Sequence, residues 1–311
     1  MPPMNSKMVV RVSNQNGYIT DTSRLIIHWD VFDDNINTRV FDYPENIRAY
    51  SYAIGSSKGK DDIKQFSEVG HSTVVVARYV NIRDGFPLYV TVKAFDYVGL
   101  EGITFSREYI IDTTPPVPGR ILIEPEMSNI NTVTFIDRVD LVLHLTEFTD
   151  DESGLSYFEI GVGTHYFLNN IMSLTKYDMN AVQLDLGDSL LIDGRTYIVN
   201  VKAVNNAGLS STFVTGKIVI DRSAPTGGHV IDGDSLKQVD DDFINDVFYV
   251  GAQWRGFMDP HSGIHHYRCG FGTKPYVDDI RSFINVGLRE NITVDRSIRF
   301  WPDILHYCRS L

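Results

Sequence analysis

With 311 residues, 43% of them hydrophobic and 22% charged, the chain is long enough for two or three ordinary domains and too apolar to stay disordered. Its formal net charge of −12 argues against a nucleic-acid partner, because nothing here would neutralise a phosphate backbone, and against anionic lipid surfaces. No apolar run approaches the roughly 18 residues of a spanning helix, and the opening residues lack the apolar stretch of a signal peptide.

In chain order, one pattern recurs. Leu25–Trp29 alternates at the two-residue period of a strand with one wet face, and Phe32, Asp33 and Asp34 follow it. The phrase returns as Leu141–Leu145 ahead of Phe148 and Asp150, and as Phe248–Trp254 ahead of Phe257 and Asp259. A second alternating strand then ends in glycine: Tyr50, Tyr52, Ile54 and Gly55; Phe158, Ile160, Val162 and Gly163; Tyr267, Cys269, Phe271 and Gly272. Phe32 to Gly55 spans 23 positions and Phe148 to Gly163 spans 15, so the first unit carries eight extra residues within Asp34–Asn46. An insertion of that kind belongs in a surface loop.

After the glycine, Asp61, Asp62 and Ile63 match Asp278, Asp279 and Ile280, 217 residues on (278 − 61), and Asn169, Asn170 and Ile171 stand between. The acidic pair ahead of Ile63 and Phe66 predicts a single helical turn with carboxylates at its amino end. A long alternating strand follows in the first two units, with Val-Lys-Ala at 92–94 and 201–203, 109 apart (201 − 92). Asn205, Asn206, Ala207 and Gly208 then make a turn. Asp112-Thr113-Thr114-Pro115-Pro116 is echoed by Asp221-Arg222-Ser223-Ala224-Pro225, and proline there marks a boundary with a stiffened connection. The units are expected over 1–114, 115–223 and 224–311. The third does not finish: its Val-Lys-Ala strand is due near residue 309, while Trp301–Leu311 matches nothing earlier. A truncated unit with an unrelated tail, an unpaired edge and a partly open core is the expectation.

The early Trp, the Tyr-x-Val-like second strand and the Tyr197-x-Val199-x-Val201-x-Ala203 strand together resemble the fibronectin type III module. Asp193-Gly194-Arg195-Thr196 ahead of Tyr197 is similar to that module's tyrosine-bearing turn. The resemblance covers two full units and most of a third, and it implies an all-β chain of tandem antiparallel β-sandwiches. Leu145 departs from the pattern at the Trp position, and Leu88 stands where Tyr197 does. Immunoglobulin-like and cadherin-like sandwiches share the architecture and stay open.

Catalytic and cofactor-binding residues are expected to be none. Asp33-Asp34, Asp61-Asp62, Asp150-Asp151-Glu152 and Asp240-Asp241-Asp242 fall in loops, where acidic runs are a solvated face rather than a catalytic pair. No phosphate-binding loop and no nucleophile elbow appear, and Gly55–Lys60 lacks the required spacing. Within a sandwich, the loop after the Trp strand and the loop after the Val-Lys-Ala strand share one end, which faces the preceding linker. Asp112 could therefore approach Asp150, Asp151, Glu152 and the amide of Asn206, and Asp221 could approach Asp259. Hard oxygen ligands so placed suit Ca²⁺, although no cadherin ligand motif is present and the expected metal set is none. His261, His265 and His266 read as a polar loop entering a strand, because His265 and His266 would point to opposite faces. Cys269 falls on the inward register as a small core filler. Cys269 and Cys308 are too few for a disulfide framework, and Asn291-Ile292-Thr293 is a glycosylation sequon.

The expected function is a non-enzymatic interaction or spacing module with a protein partner, a fragment of an extracellular or cell-surface repeat protein. The competing expectation is an accessory, non-catalytic region of a larger secreted enzyme. The opening residues taken literally point to the cytosol, whereas the unfinished third unit leads to the expectation that the chain is a piece of something longer. The eight-residue insertion is the expected contact surface.

Overall fold

The computed structural model describes residues 10–12, 16–31, 47–124, 133–138, 140–178, 181–187, 191–232, 249–274, 276–295 and 305–310. The insertion at Asp34–Asn46, the Asp33-Asp34 and Asp240–Asp242 runs, and Trp301 lie outside the described residues. No helix is found among the described residues, and so none long and apolar enough to cross a membrane.

The first unit opens with β1 (Val10–Val12), β2 (Tyr18–Ile19) and β3 (Arg24–Trp29). It continues with β4 (Ile47–Gly55), β5 (Lys64–Gly70) and β6 (Val74–Arg78), and closes with β7 (Pro87–Asp96), β8 (Glu101–Phe105) and β9 (Tyr109–Ile111). One sheet has the order β1-β3-β6 and the other β2-β9-β7-β4-β5. β8 and β9 share one side of β7, β8 against Thr91–Phe95 and β9 against Pro87 and Leu88.

The second unit repeats this with β10 (Arg120–Ile123), β11 (Thr134–Ile136), β12 (Asp140–Thr146), β13 (Leu155–Gly163) and β14 (Met172–Tyr177). β15 (Ala181–Asp185), β16 (Thr196–Asn205), β17 (Ser210–Val214) and β18 (Ile218–Ile220) complete it. Its sheets run β10-β12-β15 and β11-β18-β16-β13-β14. The third unit shows β19 (His229–Asp232), β20 (Tyr249–Arg255), β21 (Tyr267–Gly272), β22 (Arg281–Gly287), β23 (Asn291–Asp295) and β24 (Leu305–Ser310). They pair as β19-β20-β23 and β22-β21-β24.

The strand after the second hairpin decides the topology. β5 pairs with β4 and β14 with β13, so neither joins the smaller sheet as the corresponding strand of an immunoglobulin constant domain does. Three strands therefore face a larger sheet, and the units are fibronectin type III-like antiparallel sandwiches. The tyrosine-bearing turn is in place: Tyr197 Oη accepts the Ile192 N–H at 2.9 Å.

Alternation in the strands builds the cores. β3 buries Leu25, Ile27 and Trp29 and β12 buries Leu141, Leu143 and Leu145, against the inward residues of the facing sheet. Trp29 meets Tyr50 edge-on with ring centroids 5.8 Å apart, and Trp254 meets Tyr267 at 5.6 Å. In the second unit, where Leu145 takes the Trp position, Phe148 packs edge-on against Phe158 at 5.2 Å and Phe213 at 5.3 Å, as Phe257 does against Tyr267 at 5.7 Å. Cys269, fully buried beside Trp254, Tyr267 and Phe271, is core filler as its register implied.

Two readings need correction. The expected helical turn at Asp61–Phe66 is instead a hairpin loop feeding β5. Asp62 Oδ1 accepts the Ser56 N–H at 2.8 Å, as Asn170 does for Thr164 at 3.0 Å and Asp279 for Thr273 at 2.8 Å. These side chains tie the loop closed, which holds the Asp62 and Asp279 carboxyls below their ordinary values through the bonds from Ser56 and Thr273. The last stretch, unlike earlier units in sequence, takes up their pairing. Gly272 faces Leu305 and Cys269 faces Cys308 across β21 and β24, the register in which Gly163 faces Ile198 and Ile160 faces Val201. Backbone pairing tolerates the changed residues, so similarity of sequence was the wrong guide there.

Candidate functional site

The chemistry-bearing residues collect where one unit meets the next. At the first junction the linker is bonded on both sides. Thr113 N–H donates to Asp84 Oδ1 at 2.6 Å in the preceding unit, and Val117 N–H to Thr149 O at 2.8 Å in the following one. Ser211 Oγ adds a bond to Pro116 O at 2.7 Å.

Between these ties lies a carboxylate cluster. Asp112, Asp150 and Glu152 each bring an oxygen to within 4.8 Å of the others. Asp112 is fully buried. Asp150 Oδ1 accepts the Ser153 and Gly154 N–H groups, both at 2.9 Å, which fixes it as the cap of its own turn. Asn205, at the end of β16 and 2% exposed, fills the centre. Its Nδ2 donates to Asp112 Oδ2 at 2.9 Å, Asp150 Oδ2 at 2.9 Å and Thr114 O at 3.2 Å. Its Oδ1 accepts the Leu209 N–H at 2.7 Å, so turning the amide over would set donor against donor.

Sequence reasoning thus placed Asp112, Asp150 and Glu152 together correctly and chose the wrong amide. Asn206 sits one position on, where its Nδ2 donates to Ser153 O at 2.8 Å. Asp151 is exposed and stays apart from the cluster. The arrangement does not fit a Ca²⁺ shell, because the group at its centre is an N–H donor and a cation needs oxygen. Burial, reinforced by the charge of Asp150, pushes the Asp112 carboxyl up, against the lowering bond from Ser153.

The second junction uses the same positions with different residues. Thr226 N–H donates to Met258 O at 2.7 Å and Arg222 N–H to Asp193 Oδ1 at 3.3 Å. Asp259 caps its turn like Asp150, with Oδ1 accepting the Ser262 N–H at 2.8 Å and the Gly263 N–H at 3.1 Å. Asp221 and Asp259 do approach one another through Ser262: its N–H also lies 3.1 Å from Asp221 Oδ2. Ser223 Oγ donates to Asp221 Oδ1 at 2.7 Å, and His261 Nδ1 stands 3.5 Å from that oxygen. Burial pushes Asp221 up, but the bonds from Ser262 and Ser223 outweigh it and hold the carboxyl well below the carboxylate range. Asp259 Oδ2, buried, has no hydrogen-bond partner.

His265 and His266 lie ahead of β21, outside any strand, so they are not forced to opposite faces as expected. Their Nδ1 atoms are 2.9 Å apart. The groups of three metal-capable side chains found among the described residues do not include them.

At the hairpin tips, Gly59, Phe167 and Tyr276 share one place, four residues after Gly55, Gly163 and Gly272. All are left-handed, with φ of 85°, 62° and 67°. Glycine takes that conformation freely, whereas Phe167 and Tyr276 hold it under strain and still expose 68% and 76% of their surface. The buried Asn200 braces the second tip, accepting the Phe167 N–H at 2.8 Å and donating to Leu168 O at 2.9 Å.

No protein-family model matches the chain, and no curated protein sequence matches it. Among solved structures it is similar to the FN1–FN3 domains of chicken CNTN1, at 10% identity over 99% of this chain and 92% of that one, with a TM-score of 0.34. It is also similar to fibronectin(III)-like modules of Clostridium thermocellum CbhA, at 8% identity over 68% of this chain and 94% of that one, with a TM-score of 0.37.

Proposed function

We propose that the chain is a non-enzymatic array of sandwich units, over 1–114, 115–223 and 224–311, belonging to an extracellular or cell-surface protein. It holds successive units at fixed spacing and presents loops to a protein partner. The observation that carries this is the pair of junctions. Each linker is bonded to the unit before it and to the unit after it, which is what a spacer requires and a loose tether lacks. The strained aromatic tips at Phe167 and Tyr276 support the presenting role, since exposed rings held against backbone preference are poor choices for stability alone.

Spin labels on the first and second units, read by pulsed electron spin resonance, test the spacer. A narrow distance distribution that broadens in Asn205→Ala is the expected result, and a broad one in the unaltered chain overturns it. The coding sequence on either side tests the class of parent. More units of the same kind support an interaction array; a neighbouring catalytic domain makes this the accessory region of a secreted enzyme.

A further inference from the structure

The smaller sheet of the first unit differs from its two counterparts in what it turns outward. Alternation from the buried Val10, Val12, Leu25, Ile27 and Ala77 places Arg11, Arg24, Ile26, His28, Val74, Val76 and Arg78 on the outer face. Val74 is 52% and Val76 41% exposed. Arg24 is directly opposite Arg78, and His28 lies between Arg11 and Val74. Like charges set opposite one another on a sheet are destabilising. None of the three arginines makes an ion pair among the described residues, in a chain whose net charge is −12. At the matching positions β15 has Gln183 and Asp185, and β23 has Asn291 and Thr293.

Among the described residues the edge of this sheet is also open. β6 pairs with β3 and ends its sheet. Trp29 N–H donates to Thr73 O and Tyr79 N–H to Ser23 O, both at 3.0 Å. The alternation of an antiparallel ladder then turns the N–H and C=O groups of Val74, Val76 and Arg78 away from β3. Ser72 Oγ meets those of Val74, donating to its carbonyl at 2.6 Å. Those of Val76 and Arg78 face outward, on a strand with no proline or bulge and with Arg78 as its one charged residue.

We propose that β6 and the outer face beside it bind an extended acidic segment of a partner protein, which adds to the sheet as a further strand. Each feature selects one property of the ligand. The open edge requires an extended backbone, Val74 and Val76 require apolar side chains at alternate positions, and the arginines, without an ion pair among the described residues, require carboxylates. A second copy of β6 would bring arginines to arginines and is disfavoured. The proposal rests on the reading of the chain as an interaction array, and it fails separately from it, because the distance measurement between units does not involve β6.

The test uses the full chain and three labelled peptides: alternating valine and glutamate, the same with a central proline, and alternating valine and lysine. Fluorescence anisotropy is expected to show binding of the first, weakening as salt rises, with the other two weaker by about tenfold or more. Amide exchange at Val76 and Arg78 should slow in the complex. Arg78→Gln and Arg24→Gln, both at exposed sites, should each weaken binding while leaving the circular dichroism unchanged. Equal binding of the proline peptide, no binding of the glutamate peptide, or self-association of the chain through β6 in sedimentation would each overturn the proposal.

Discussion

The two junctions solve one problem with opposite electrostatics. In the first, a neutral side-chain amide from β16 spans two carboxylates, one of them fully buried, and burial pushes the Asp112 carboxyl above its ordinary value. In the second, backbone N–H and serine hydroxyl groups converge on Asp221 and favour its charged form, with His261 where Glu152 stands in the first. Asp150 Oδ2 is bonded to Asn205, whereas the corresponding Asp259 Oδ2 has no partner. A repeated scaffold thus fixes where a junction is held, while a handful of side chains decides under which conditions it holds.

The largest test of this contrast is Asn205→Ala. It strips the amide from a buried pair of carboxylates and should destabilise the second unit by roughly 3 kcal/mol in urea unfolding. Asp221→Asn comes next, with a loss of about 1 to 2 kcal/mol at neutral pH from weakened charge-assisted bonds.

Acid separates the junctions by sign. A carboxyl raised in the folded state, as Asp112 is from 3.8, gives stability that is present below its unfolded value and lost as pH rises through the folded one. Asp221, lowered from 3.8, gives stability present above its unfolded value and lost as pH falls through the folded one. Lowering the pH from neutral toward 4 should therefore steady the first junction before the second weakens. Thermal melts of two-unit fragments should show the difference, and Asp112→Asn should erase the first effect.

Metal provides a further division. Millimolar Ca²⁺ should leave the melting temperature of the unaltered chain unchanged, because Asn205 offers hydrogens to the cluster. Asn205→Asp, which substitutes oxygen, should create a Ca²⁺-dependent rise. The smallest expected effect is Glu152→His, which copies the second junction into the first. It should change stability by about 0.5 kcal/mol or less, and a larger loss would mean that Glu152 matters more to the cluster than Asn205's bonds imply.

Much of this was legible in advance. Alternation at Leu25–Trp29 and Tyr197–Ala203 reveals strands because burial on one face imposes a period of two, and the 109-residue step carries that reading to the other units. The gathering of Asp112, Asp150 and Glu152 followed from sandwich topology alone. The choice between Asn205 and Asn206 did not, because it depends on which neighbour the last residue of β16 turns toward the linker. Asp61–Phe66 misled for a related reason: an acidic pair before apolar residues suits a helix start, but Asp62 is consumed by closing its own loop. The Arg24 and Arg78 pairing was invisible without the strand register, since 54 positions (78 − 24) separate them in sequence.

One feature of the two complete units bears on how such an array would respond to tension. β2 runs parallel to β9, and β11 to β18, with Tyr18 facing Ile110 and Thr134 facing Ile218. Pulling on the ends of either unit drags these partners past each other lengthwise, so their bonds must rupture together instead of peeling singly. Single-molecule stretching should accordingly give a higher rupture force for the unaltered second unit than for Val219→Pro, which removes an amide hydrogen from β18.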